Sequence, residues 1–156
     1  AHEAWLVISA STLPGFAANG EALSGAARAA VAAPSHPEIA WLEAAMAAER
    51  AGNKERALFL FDKAVTTNGA NLAARYHNAR LLSQGTNIAA ASLQISAVLN
   101  TAPRWVPALL LSGDIERTKG DSERALTRYR EAAEMTPPAP MSMVAKWRLS
   151  ELTRQQ

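Results

Sequence analysis

An all-α fold, an α-α superhelix of helix-turn-helix repeats closed by a C-terminal capping helix, is what this sequence predicts. Three observations carry the prediction. The chain is rich in alanine, which favours helix because alanine loses no side-chain entropy there. Stretches such as 39–50 and 122–135 lack the alternation of a half-buried strand. Segments beginning at Glu38, Leu72 and Val106, spaced 34 residues apart, carry similar residues in the same slots.

The slots are specific. Ala40, Ala74 and Ala108 coincide, as do the small residues Ala45, Ala79 and Gly113 and the set Ala57, Ala91 and Ala125. A large group recurs as Phe61, Ile95 and Tyr129, followed by Ala64, Val98 and Ala132. Each segment breaks in the middle, at Gly52-Asn53, Gly85-Thr86-Asn87 and Gly120-Asp121. Glycine ends a helix readily, and Asn or Asp can cap the next one by accepting a backbone N–H. Two antiparallel helices need small residues where their axes cross, so Ala45 is expected to face Ala57, and Gly113 to face Ala125. Trp41, Phe61, Leu109 and Tyr129 would fill the space beside the crossings. Ser35-His36-Pro37-Glu38 reads as a capping box that opens the first segment.

The period and these residues resemble the tetratricopeptide repeat family, whose motif runs Trp-x2-Leu-Gly-x2-Tyr, Ala-x3-Phe and then Pro. Trp41 fills the Trp slot, Ala57-x3-Phe61 and Ala125-x3-Tyr129 match the second half, and Pro103 and Pro137 match the closing Pro. Arg75 replaces the Trp of the middle repeat, and Ala48, Leu82 and Glu116 replace the Tyr. The expected organisation is a single domain over 1–156: a degenerate repeat at 1–37, repeats at 38–71, 72–105 and 106–139, and a capping helix at 140–156. Met143, Val144, Trp147 and Leu149 or Leu152 give that last helix its apolar stripe, with Trp147 covering the open end of the stack.

Composition bounds the chemistry. With 156 residues, 49% apolar and 19% charged, the chain has the balance of one folded domain. A net charge of +2 with scattered arginines lacks the clustering of a nucleic-acid footprint. No cysteine is present, so thiolate chemistry and disulfides are excluded. No apolar run approaches the roughly 18 residues of a membrane span, so no direct membrane insertion is expected. The start at Ala1 suggests a processed protein or an excised fragment, and the alanine and arginine bias fits a bacterial genome of high GC, with cytoplasm and periplasm both open.

His2, His36 and His77 are too far apart in sequence to form a zinc site, and no phosphate loop or nucleophile elbow appears. Asp114 and Glu116 point about 200° apart on a helix and cannot form a carboxylate pair. No catalytic group, metal or cofactor is expected. The family resemblance implies a concave groove lined by the first helix of each repeat. Carried over by position, the partner-binding candidates are Leu42, Met46 and Arg50, then Tyr76, Arg80 and Ser83, then Leu110, Asp114 and Arg117. Apolar members could bury side chains of a peptide, and arginines can fork onto its carboxylates. The slots of the family's terminal-carboxylate clamp hold Leu42, Met46, His77, Pro107 and Leu111, which argues against a chaperone-tail receptor. The expected function is protein–protein interaction, as an adaptor or assembly scaffold in a larger complex. The alternatives are the non-catalytic repeat region of a larger enzyme and a self-associating module that forms a homo-oligomer.

Overall fold

The computed structural model describes residues 36–134 and 141–154, and every regular element among them is a helix. The elements are α1 (Pro37–Arg50), α2 (Lys54–Thr67), α3 (Leu72–Ser83), α4 (Ile88–Thr101), α5 (Val106–Thr118), α6 (Ser122–Ala133) and α7 (Ser142–Arg154). The proposed repeat in 1–37 lies outside the described residues apart from His36 and Pro37, as does Pro137-Pro138-Ala139-Pro140. The chain divides into two compact units, one ending at Ala74 and the other beginning at Arg75.

Capping chemistry sets the helix boundaries. Asn53, Asn87 and Asp121 each accept a hydrogen bond from the backbone N–H three residues on, at 3.1, 3.2 and 3.0 Å. Asn71 does the same for Ala74 at 3.0 Å and so opens α3, a cap the sequence reading did not identify. Gly52 and Gly120 adopt φ of 79° and 84°, the left-handed turn that lets a helix end within a three-residue link. Gly85 is not among the positive-φ glycines. Its link, from Gln84 to Asn87, is one residue longer and turns without that conformation.

The expected capping box at 35–38 turns on Ser35, which lies outside the described residues. His36 is the N-cap of α1 and makes no side-chain cap bond, with Pro37 in the first turn. Glu38 accepts from the Asn68 Nδ2 at 3.2 Å, and His36 Nδ1 lies 3.3 Å away. This ties the start of α1 to the end of α2. Its own backbone N–H first, and then Asn68, hold the Glu38 carboxyl below its ordinary pKa.

In the first unit α1 packs on α2. Ala45, Ala57, Phe61 and Ala64 are fully buried between them. Trp41 and Leu42 are half-buried against Ala64, Val65 and Ala74.

In the second unit consecutive helices pack in order, α4 on α5, α5 on α6 and α6 on α7, the succession of an α-α repeat stack. One apolar core runs through it. It takes Ala79 from α3, Ala91, Ile95 and Val98 from α4, and Ala108 to Leu111 with Ile115 from α5. Ala125, Tyr129 and Ala132 of α6 and Ala145 and Leu152 of α7 complete it. The Ala and large-residue slots read from the sequence are therefore core positions in all three repeats. Arg75, which stands in the Trp slot, reaches across to α4 and donates to Gln94 Oε1 at 2.8 Å.

Gly113 was expected to face Ala125; a Cβ on Gly113 would lie 2.3 Å from Tyr129 Cε1, with the next nearest atoms also in that ring. The aromatic ring of α6 thus lies directly over the glycine, and Ala125 is fully buried in the same core. One packing expectation needs correction, and it concerns α7. Ser142, Ala145 and Leu152 are buried and Leu149 packs on the core, while Met143, Val144 and Trp147 are exposed. Trp147, at 58% exposure, is not among the residues of the core. The small side chains of Ser142 and Ala145 allow close approach of the helix, so the stripe 142, 145, 149, 152 wins the core over the bulkier one.

Candidate partner-binding site

Tyr76 and Arg80 are one turn apart on α3 and share a face. The Tyr76 ring packs against the core of the second unit and tilts on Trp105, centroids 5.0 Å apart, with His77 edge-on at 5.4 Å. Arg80 Nη2 lies 3.3 Å from His77 Nδ1. A guanidinium only donates, so Nδ1 is the acceptor in this contact.

Asp114 of α5 is the junction of three helices. It accepts from the Tyr129 hydroxyl of α6 at 2.7 Å and from Arg148 Nη1 of α7 at 2.5 Å. Burial first, and then the Asp114 bond and charge, push the Tyr129 hydroxyl far above its ordinary pKa, so it remains a permanent donor. Burial also raises Tyr76, against which the charges of Arg80 and Arg148 work. Arg80, Asp114 and Arg148, from α3, α5 and α7, thus all lie within electrostatic reach of the Tyr76 hydroxyl.

Beside this junction is a small cleft of about 150 Å³ lined by Arg117, Tyr129, Trp147, Arg148, Glu151 and Leu152. Arg117 is exposed in the last turn of α5. Glu116, two residues from Asp114, turns away and pairs with Lys119 at 2.9 Å.

The residues picked from the sequence divide accordingly. Tyr76, Arg80, Asp114 and Arg117 belong to one neighbourhood in the second unit. Ser83 is half-buried and donates to the Arg80 carbonyl at 2.8 Å. Leu110 is only 2% exposed and belongs to the core, so it offers no surface to a partner. Its place on a six-residue run of buried positions, Ala108 to Gly113, explains this: α5 is covered on more than one side. In the first unit Leu42 and Met46 are half-buried and Arg50 is exposed in the last turn of α1. Trp105, Tyr129 and Arg148 were not picked as site residues. Tyr129 was read as core filler. A signal for Tyr129 did exist, since a buried tyrosine needs a partner for its hydroxyl.

Among the described residues no group of three His, Asp or Glu could hold a metal ion, and no helix is long and apolar enough to cross a membrane. No protein-family model matches the chain, and no curated protein matches it either.

Proposed function

We propose that this chain is a tetratricopeptide-type repeat module that holds a partner polypeptide. The segment it takes bears carboxylates beside an apolar or aromatic side chain. It lies on the face of the second unit formed by Tyr76, Arg80, Trp105, Arg117 and Arg148. The observation that carries the reading is the convergence of first-helix residues from successive repeats on one neighbourhood, with arginines from α3, α5 and α7 around aromatic rings. Arginine forks match carboxylates, and Tyr, Trp and Arg are the residue types that dominate binding hot spots. Asp114 and Tyr129, bonded to each other and to Arg148, act as the frame that aims the arginine.

The test is recovery of a partner by pull-down with the intact chain, then calorimetry on Arg80→Ala with Arg117→Ala. Tyr76 is left in place because its ring supports the core. The double variant should bind about 30-fold more weakly, equivalent to about 2 kcal/mol, with helical circular dichroism unchanged. Undiminished affinity would remove this face from the functional reading.

A further inference from the structure

Helix α7 stands one period beyond α5, so Met143 and Trp147 occupy the slots of Leu109 and Gly113. In α5 those slots face inward: Leu109 is 1% exposed, and Gly113 lies under the Tyr129 ring of α6. In α7 the same slots are open, with Met143 at 69% and Trp147 at 58% exposure, and Val144 beside them. The face that the repeat reserves for its own second helix is thus apolar and uncovered.

That face is not shaped for another helix of the repeat kind. The slot of Trp147 holds Ala45, Ala79 and Gly113 in the three repeats, where small size lets the paired helix cross closely. A tryptophan there holds a helix off at the distance of a coiled coil. Measured as a heptad, the outward face reads Met143 at d, Trp147 at a, Ser150 at d and Arg154 at a. The flanking g and e positions are Lys146 and Glu151, both exposed. A basic g and an acidic e five residues on pair across a parallel two-stranded seam, g of one helix to e of the other. The inward positions, Ser142, Ala145, Leu149 and Leu152, fall at c and f, so core and seam use opposite sides of one helix.

From this charge complementarity we infer that the outward face of α7 docks on α7 of a second copy of this chain. The two helices run parallel about a twofold axis, Trp147 lies in the seam, and Lys146 of each copy pairs with Glu151 of the other. Fewer than two heptads are available, so the dimer forms at micromolar rather than nanomolar concentrations.

The experiment is sedimentation equilibrium of the intact chain from about 1 to 300 μM, on wild type, Trp147→Glu, Lys146→Glu, Glu151→Lys and the double charge swap. The wild type should pass from monomer to dimer, and Trp147→Glu should weaken association about 100-fold or more, the loss of a central aromatic anchor. Each single charge reversal should weaken it about tenfold, because symmetry places two like-charge pairs in the seam. The double swap should restore it to within about threefold. A wild-type monomer throughout overturns the inference, since the face is then bare or covered from within the chain. So does a dimer indifferent to Trp147→Glu, which uses another surface. Failure of the double swap to rescue overturns the parallel pairing.

Discussion

A methyl group on Gly113 would stand 2.3 Å from Tyr129 Cε1, inside the closest approach two carbons reach. The ring cannot yield freely, because it is buried and its hydroxyl is bonded to Asp114. Helix propensity alone would make Gly113→Ala stabilising by about 1 kcal/mol. Overpacking opposes this with about 1–3 kcal/mol or more, so the variant should lose stability in urea melts; a gain would mean that the ring does not occupy the crossing. Glu38 offers a second test. Its carboxyl is held below the ordinary value of 4.5, so the stability it contributes is present above that pH and is lost as pH falls through the lowered value. The stability gap between wild type and Glu38→Gln should therefore shrink as pH drops below about 4.5. A gap constant from pH 7 to pH 3 would contradict the assigned bonds. At this scale the period made Ala57, Ala91, Ala125 and the three turn caps legible, because each depends on residues close in sequence. The ring over Gly113 and the Arg148–Asp114 bond were not legible. They depend on how one helix is rotated against another, which a slot alignment does not encode.

Helix α7 shows what periodicity leaves open at the level of an element. Its sequence supports two apolar stripes, Met143-Val144-Trp147 and Ala145-Leu149-Leu152, on different sides. Hydrophobicity favours the first, since it contains the tryptophan. Packing favours the second, because Ser142 and Ala145 admit the close approach that α6 requires. The two assignments separate by mutation in dilute protein. Ala145→Leu should cost about 1–3 kcal/mol as an overpacked contact, whereas Met143→Ser should stay within about 0.5 kcal/mol as a surface change. Equal costs in urea melts would return Met143 to the core. The remaining helices were legible in type and near extent, because the alanine-rich runs are bounded by Asn and Asp caps that act locally. Arg75 in the Trp slot read as a weakness, and its bond to Gln94 on α4 shows that a polar crossing replaces the aromatic one.

For the whole chain, the account rests on the proposal that the first helices of the repeats supply a partner-binding face. The all-α class followed from composition and period. The convergence of Tyr76, Arg80, Asp114 and Arg117 was legible in outline, since the same face of equivalent helices recurs every 34 residues. Leu110 was misread because α5 is buried on more of its circumference than a surface helix. The measurement that tests the account most directly is amide hydrogen exchange of the intact chain with and without the partner recovered by pull-down. Protection on binding should concentrate in α3, α5 and α7, around Tyr76, Arg80, Arg117 and Arg148. Protection confined to α4 and α6, with α3, α5 and α7 exchanging as in the free chain, would contradict it.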